Sequence, residues 1–182
     1  MATTSTKSKR KDKRVLGEIK KLTTEYNDVY DTIDTSTGKI KLKLELQNDN
    51  IRHWRIYVHK DNFKNVKGLY KDLETMKVEN IEFEILIPTE YPFEPPFIRI
   101  VKPIFMKSSG YITNGGSMCM EILSTKGWNP ATTIDQALVN IIQILMIGKG
   151  RLDMHPKHKE YSLKEAKHWF KTVMNIHKDW NF

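Results

Sequence analysis

The chain has 182 residues, of which 39% are apolar, and carries a formal net charge of +8 with an isoelectric point near 9.4. This length suits one domain, and no apolar run reaches the ~20 residues that a membrane helix needs, which excludes a membrane-spanning protein. The single cysteine, Cys119, excludes an internal disulfide and a cysteine-based zinc cluster. The first residues lack the apolar middle of a secretory signal, so we expect an intracellular protein, cytoplasmic or nuclear.

The excess positive charge is concentrated near the start of the chain. Residues 1–12 are mostly Ser, Thr, Lys and Arg, which leaves almost nothing to bury. This composition predicts a disordered basic tail, followed by one folded domain over residues 13–182. The tail could be a localisation signal, a docking arm or simply a solvated segment. Because the remainder is only mildly basic, binding of nucleic acid is not expected beyond the tail.

Hydrophobic periodicity predicts one helix and then a sheet. From Lys13 to Asn27 apolar residues recur about every 3.6 positions, which predicts an amphipathic helix with a basic outer face. That outer face carries Arg14, Lys20 and Lys21. Apolar and polar residues then alternate near residues 40–46, 54–58 and 81–87, which predicts three strands, and residues 97–101 are predicted as a short fourth strand. A loop with Asp61, Asn62 and Gly68 is predicted between the second and third strands. Sequential strands joined by short turns favour an antiparallel meander.

Two irregular passages follow the predicted third and fourth strands. Residues 91–96 read Tyr-Pro-Phe-Glu-Pro-Pro, and so many prolines exclude a helix or a central strand and predict a stiff extended loop. Residues 103–117 form a long irregular passage that contains Gly115 and Gly116, shortly before Cys119. Loops of this length in compact domains are often functional.

Two capping boxes mark the helices at the end of the chain. Thr133 with Gln136, and Ser162 with Glu165, have the Ser/Thr-x-x-Glu/Gln spacing that predicts a helix N-terminus. The first of these helices is apolar almost all round and is expected to end at Gly148. A helix, four strands, a loop carrying the thiol and further helices predict an α+β fold, with helices grouped on one side of an antiparallel sheet.

Three segments in this order resemble the ubiquitin-conjugating enzymes. Residues 91–96 resemble the family's Tyr-Pro-Phe-x-Pro-Pro loop. Residues 116–123, Gly-Ser-Met-Cys-Met-Glu-Ile-Leu, are similar to its cysteine segment. Residues 128–134, Trp-Asn-Pro-Ala-Thr-Thr-Ile, are similar to its Trp-Ser-Pro-Ala-x-Thr-Ile run. The resemblance spans roughly residues 14–182 and implies the ubiquitin-conjugating fold.

Further segments are similar to the divergent Q-type branch of that family: Gly115-Gly116, Cys119-Met120-Glu121, Gly127-Trp128, Gly148-Lys149-Gly150-Arg151 and Ile176-His177-Lys178-Asp179-Trp180. Most of the family has His-Pro-Asn upstream of the cysteine, where this chain has Ser109-Gly110-Tyr111. The Q-type branch also lacks that tripeptide. Asn114 or Tyr111 are therefore the candidates to replace the missing asparagine.

The resemblance implies an acyltransferase that works through a thioester. Cys119 would accept the C-terminal glycine of ubiquitin from the activating enzyme and pass it to a substrate lysine or to a ubiquitin ligase. ATP is consumed upstream by the activating enzyme, so no cofactor and no metal is expected. Positive charge from Lys126, Lys149 and Arg151 would lower the pKa of the thiol if those side chains lie nearby. Taken alone, a lone cysteine is more often a small buried hydrophobe.

The resemblance also implies roles for residues around the cysteine. Asp153 is the candidate for orienting the attacking amine, with a solvated helix-end aspartate as the alternative. Trp128 is expected to pack beneath the site.

Two surfaces match places where the family meets its partners. Phe93, Pro130 and Ala131 match the positions that contact ligases, although Phe93 could also be a core residue. Arg14, Lys20 and Lys21 match the face that contacts the activating enzyme. The competing reading of the whole chain is an inactive ubiquitin-conjugating-like scaffold or an RWD-type binding module. The identity of the modifier, whether ubiquitin or a relative, stays open.

Overall fold

A computed structural model describes the backbone of residues 3–26 and 40–176 and the side chains of residues 11–24 and 40–175. Its helices are α1 (Thr3–Tyr26), α2 (Lys67–Thr75), α3 (Ile134–Ile147) and α4 (Leu163–Ile176). Its strands are β1 (Leu42–Gln47), β2 (Asn50–His59), β3 (Asn80–Leu86) and β4 (Phe97–Lys102), and short 3-10 helices span Lys60–Phe63 and Glu121–Leu123. None of the described helices is both long and apolar enough to cross a membrane.

The four strands form one antiparallel sheet in the order β1-β2-β3-β4. Ile56 lies opposite Phe83, and Phe83 lies opposite Ile100, so these apolar side chains share one face of the sheet. All three are fully buried. The α+β class and the four-stranded meander predicted from the sequence are therefore confirmed.

Helix α3 is a core helix that packs with this buried face. Ile134, Ala137, Leu138, Ile141 and Leu145 are completely buried in the same apolar cluster as the sheet residues. Each large apolar side chain contributes about 1.5–3 kcal/mol on full burial, whereas a helix cap contributes about 1 kcal/mol. Packing therefore dominates the stability of α3, and capping sets where the helix begins.

Both predicted helix starts agree with the structure. Gln136 Oε1 accepts a hydrogen bond from the Thr133 N–H at 3.0 Å, one residue before α3. At α4, Ser162 Oγ accepts from the Glu165 N–H at 3.2 Å. The Ser162 hydroxyl also donates to Glu165 Oε2 at 2.9 Å.

Helix α1 begins earlier than the sequence predicted. Its backbone is helical from Thr3, whereas the prediction placed residues 1–12 in a disordered tail. Lys11 Nζ lies 2.6 Å from Glu90 Oε1, and Arg52 Nη2 lies 2.8 Å from Asp12 Oδ1. These ion pairs tie the turn before Lys13 to the rest of the fold. The division of the chain into a tail and a catalytic domain stays a prediction.

Helix α2 lies where the sequence predicted a loop. Leu69 and Leu73, four residues apart, are fully buried, and Asp72 is held from outside the helix by Arg151. Gly68 and the polar residues before it favoured a loop, because glycine is a poor helix former. Tertiary burial of two leucines outweighs that local preference.

Candidate active site

Cys119 lies on a segment that pairs with the outer edge of β4. The Ile100 N–H donates to Gly116 O at 2.8 Å, and the Met118 N–H donates to Ile98 O at 3.3 Å. On its other side the segment pairs with the chain that precedes it, since the Cys119 N–H donates to Tyr111 O at 3.0 Å. Residues 111–119 thus form a two-stranded hairpin, here called the cysteine ribbon. Its hydrogen bonds fix the backbone of Cys119.

The two glycines of the cysteine ribbon are required by close approach to α4 and the chain before it. Gly116 has φ +88°, and a Cβ there would lie 2.6 Å from the Tyr161 ring. A Cβ on Gly115 would lie 2.6 Å from the backbone of Glu165. Only glycine allows both this conformation at position 116 and this packing at position 115.

The Cys119 side chain is half-buried and lines an open cavity of about 480 Å³. The walls are the loop over residues 108–113, the end of α3 with the turn over residues 147–149, and Val173 of α4. The sulfur is therefore not enclosed in the apolar core. Within the described ranges, no three His, Cys, Asp or Glu side chains are placed to hold a metal ion.

The pKa of the Cys119 thiol is raised, because burial disfavours the charged thiolate. Lys126, Lys149 and Arg151 are expected from the sequence to lower this pKa if they lie nearby. Lys149 does line the cavity, yet the pKa is raised and burial is the cause. Arg151 is turned to Asp72, with Nε at 2.6 Å from Oδ2 and Nη2 at 2.9 Å from Oδ1. Its charge is compensated there, and it holds the chain after α3 against α2.

The structure places one of the three expected supporting residues at the cavity. Tyr111 lines the cavity with Cys119, is 56% exposed and has φ +56°. Asn114 is exposed and is not among the residues that line the cavity. Asp153 also lies outside it, and its Oδ1 accepts from the His155 N–H at 2.9 Å. The supporting roles of all three stay predictions.

Two buried hydroxyls beside the cavity were not anticipated from the sequence. Thr113 Oγ1 and Ser117 Oγ lie 2.7 Å apart, and the Ser117 N–H donates to Thr113 Oγ1 at 3.1 Å. Thr113 is 7% exposed and lines the cavity, while Ser117 is fully buried. A Thr-x-x-x-Ser spacing is too common to indicate such a pair, because it depends on the hairpin that brings the two together.

A buried carboxylate joins α1 to the start of α3 and to the proline-rich loop. Glu18 Oε1 accepts from the Tyr91 hydroxyl at 2.9 Å, and Oε2 accepts from the Ile134 N–H at 3.1 Å. Arg14 Nε lies 2.8 Å from Glu18 Oε1. Burial and the Glu18 charge raise the pKa of Tyr91, so its hydroxyl stays a donor. We call these four residues the α1 junction.

The expected activating-enzyme face is only partly turned outward. Arg14 is half-buried, and its Nη2 donates to Thr132 O at 3.1 Å. Lys21 Nζ lies 2.7 Å from Oδ2 of the buried Asp135. Lys20 is exposed. Arg14 and Lys21 therefore also bind within the protein, which the sequence could not reveal, and the partner role of all three residues stays a prediction.

The expected ligase-contact residues are all exposed. Phe93 is 71% exposed, which argues against a core role, and Pro130 and Ala131 are exposed as well. Trp128 is buried beside them, with its Nε1–H donating to Pro92 O at 2.7 Å and its ring 6.1 Å from the Tyr91 ring. Trp128 thus links the loop that carries Phe93 to the loop that carries Pro130 and Ala131.

Comparison with known families identifies one matching family model. Residues 21–176 match the model described as "Ubiquitin-conjugating enzyme". The match includes the cysteine ribbon, the cavity walls and both loops that carry the exposed positions.

Curated relatives carry related names. The chain is 32% identical over 161 residues to the mouse protein named "Ubiquitin-conjugating enzyme E2 Q1", covering 86% of this chain and 37% of that protein. It is 30% identical over 143 residues to a mouse protein named as a Q-like ubiquitin-conjugating enzyme, covering 78% of this chain and 86% of that protein. The chain thus spans a little over a third of the longer relative.

Solved structures share the fold. A crystal structure of a ubiquitin-conjugating enzyme from Plasmodium falciparum superposes with a TM-score of 0.52 at 18% identity, covering 74% of this chain and 83% of that one. Human ubiquitin-conjugating enzyme E2 G1 gives a TM-score of 0.51 at 16% identity, covering 72% of this chain and 90% of that one. At such low identity these matches establish the fold alone.

Proposed function

The chain belongs to the ubiquitin-conjugating enzyme family, within its Q branch, and from that premise we propose that it carries ubiquitin as a thioester on Cys119. The reaction takes the C-terminal glycine of ubiquitin from the activating enzyme and passes it to a substrate lysine or to a ligase. The observation that carries this proposal is the position of the sulfur. Cys119 lines an open cavity of about 480 Å³ beside the edge of β4, instead of lying in the apolar core.

The cavity suits an extended chain end better than a compact ligand. Its walls combine apolar side chains, such as Ile147 and Val173, with backbone at Gly110 and Gly148, and the exposed Tyr111 lines it as well. Ubiquitin's C-terminus would enter with its glycine carbonyl next to the sulfur. A protein substrate or ligase would approach from the open side.

The raised pKa of Cys119 has two opposite consequences for this exchange. At neutral pH little of the thiol is ionised, which slows loading, yet a thiolate of higher pKa is the better nucleophile. In the loaded state such a thiol is also the poorer leaving group. The thioester is therefore expected to persist until an acceptor is correctly placed beside it. The activating enzyme uses ATP upstream, so the proposal needs no cofactor on this chain.

The exposed loops and α1 suggest where partners bind. Phe93, Pro130 and Ala131 form an exposed surface supported by buried Trp128, and we assign ligase contact to it. Contact with the activating enzyme is assigned to α1, where Lys20 points to solvent while Arg14 and Lys21 also bind within the protein.

A charging assay tests the proposal. The chain is incubated with activating enzyme, ATP and ubiquitin, and the products are separated with and without reductant. Wild type should form an adduct that reductant removes, Cys119→Ser should form one that reductant leaves intact, and Cys119→Ala should form none. A reducible adduct on Cys119→Ala would contradict the assignment. Absence of any adduct on folded wild type would favour the inactive scaffold.

A further inference from the structure

We propose that Thr113 donates a hydrogen bond to the acyl oxygen of the Cys119 thioester, and that Ser117 holds Thr113 in position for this. The inference rests on the proposed function and adds a catalytic donor to it. It starts from the register of the cysteine ribbon, where Tyr111 lies opposite Cys119, Ile112 opposite Met118 and Thr113 opposite Ser117.

The register places Thr113 and Cys119 on the same face. Side chains alternate along a strand, so positions 113, 117 and 119 share one face of the ribbon, and 112 and 118 share the other. Met118 lies fully in the core, whereas Thr113 and Cys119 line the cavity. Ile112, which follows the left-handed Tyr111, lines the cavity as well. Thr113 and Cys119 are diagonal neighbours, for which Cα atoms lie about 7–8 Å apart. A hydroxyl at that separation reaches an oxygen bonded next to the sulfur.

The count of hydroxyl hydrogens decides which residue faces the cavity as a donor. Only one hydrogen can lie between Thr113 Oγ1 and Ser117 Oγ, so the pair keeps a second one. Ser117 is fully buried, and among the hydrogen bonds of the described residues its Oγ has no second partner. If Thr113 donated to Ser117, the Ser117 hydrogen would be buried without an acceptor, at a cost of about 1–3 kcal/mol.

The lower-energy arrangement therefore has Ser117 donating to Thr113. Thr113 Oγ1 then accepts from both the hydroxyl and the N–H of Ser117. These two bonds orient the oxygen, and its own hydrogen is then available to an acceptor in the cavity that Thr113 lines. A donor fixed before the reaction loses no energy to reorganisation when charge develops beside it.

Such a donor has a defined task in the transfer step. The amine or thiolate of the acceptor attacks the thioester carbonyl carbon, and the π electron pair moves to the carbonyl oxygen. Thr113 stabilises that oxyanion. When the tetrahedral intermediate collapses, the carbon–sulfur bond breaks and Cys119 leaves as a thiolate, which takes a proton from solvent. An attacking amine loses its extra proton to solvent in the same step.

The test measures discharge of the preformed thioester to free lysine under single-turnover conditions, over a range of lysine concentrations. Two matched pairs isolate the hydroxyl: Thr113→Val against wild type, and Thr113→Ala against Thr113→Ser. Thr75→Val makes the same change on α2, where the hydroxyl donates to Lys71 O at 2.8 Å away from the cavity. Melting temperatures are recorded for all variants.

We expect Thr113→Val and Thr113→Ala to lower the maximal discharge rate on the order of a hundredfold, with the half-saturating lysine concentration unchanged. Thr113→Ser and Thr75→Val should discharge like wild type. Wild-type discharge by Thr113→Val, or equal rates for Thr113→Ala and Thr113→Ser, would overturn the assignment of Thr113 alone. A wild-type chain that never forms the thioester would overturn the proposed function and this inference together.

Discussion

The α1 junction and the cysteine ribbon are both polar clusters held by hydrogen bonds, but the first bridges packed elements and the second lines a cavity. In the α1 junction the two carboxylate oxygens of Glu18 bind the Tyr91 hydroxyl, the Ile134 N–H and the Arg14 guanidinium. In the cysteine ribbon the thiol of Cys119 lies at a cavity. Thr113 and Ser117 have two hydroxyl hydrogens, of which only one is used in the bond between them.

The difference separates a structural cluster from a site that can do chemistry. A buried carboxylate that binds groups from three elements fixes those elements relative to one another. A nucleophile beside an unused donor is positioned to bind an atom that is not yet present. Substitutions at the α1 junction and at the cysteine ribbon test this distinction.

Removing Glu18 should have the largest effect on stability. Glu18→Ala leaves the Arg14 charge, the Tyr91 hydroxyl and the Ile134 N–H without their partner in a buried setting. Breaking such a buried pair typically costs about 3–5 kcal/mol in the free energy of unfolding. Denaturant unfolding followed by circular dichroism measures this change.

Glu90→Ala is the matched control for Glu18→Ala. Glu90 also pairs with a cation on α1, Lys11, but its side chain is 54% exposed. Exposed pairs contribute about 0–1 kcal/mol, so the control should stay close to wild type. Equal destabilisation by the two substitutions would show that the α1 junction is no more structural than a surface ion pair.

Adding one methyl group to the cysteine ribbon should have a smaller effect on stability. In Gly116→Ala the new Cβ would lie 2.6 Å from the Tyr161 ring at φ +88°, a conformation that costs a residue with a side chain about 1–3 kcal/mol. The strain should displace the Cys119 segment as well. We therefore expect both a lower melting temperature and slower charging with ubiquitin.

Gly17→Ala provides the control for this substitution. Gly17 lies within α1, and a Cβ there would have no atom within 4 Å. Because alanine favours helix, the control should be neutral or stabilising by up to about 1 kcal/mol. A Gly116→Ala chain as stable and as readily charged as Gly17→Ala would contradict the geometry described for the ribbon.

The pH dependence of thiol reactivity should show the smallest, graded effect. Burial raises the pKa of Cys119 above the ordinary thiol pKa of 9.0. The rate of alkylation by iodoacetamide should therefore rise about tenfold per pH unit and still be rising at pH 9.0. The single cysteine makes this signal specific to Cys119, and Cys119→Ser gives the blank.

The raised pKa also links stability to pH. Below the ordinary pKa of the thiol, its protonated form favours the folded state, and this contribution is lost as pH rises through the pKa of the folded state.

The same measurement on the chain unfolded in urea gives the reference, since the unfolded thiol returns to its ordinary pKa. A folded profile that levels off at or below the unfolded one would show that burial does not control the thiol.

Local patterns allowed much of the fold to be predicted. Alternation along the strands, the capping residues Ser162 and Gln136 and the proline-rich loop each act over a few residues, so sequence spacing records them directly. Helix α2 was missed because Gly68 argued locally for a loop, while burial of Leu69 and Leu73 decided otherwise.

The site was predictable only in part. Strong family patterns mark the segments of Cys119, Phe93 and Trp128. The structure places Cys119 at a cavity, Phe93 on an exposed loop and Trp128 in a buried position beside that loop. The pKa of the thiol is raised by burial, which the sequence did not indicate, and Arg151 pairs with Asp72. Such pairings join distant parts of the chain and leave no spacing signal.

The sequence by itself determined the four strands, the starts of α3 and α4, the single thiol and its flanking turns, because each follows from the chemistry of neighbouring residues. The tertiary structure alone decided that Glu18 caps α3 from a distant helix, that burial raises the Cys119 pKa, and that Thr113 faces the cavity beside Cys119. Solvation and hydrogen-bond capacity depend on which groups meet in space, and that arrangement exists only once the chain has folded.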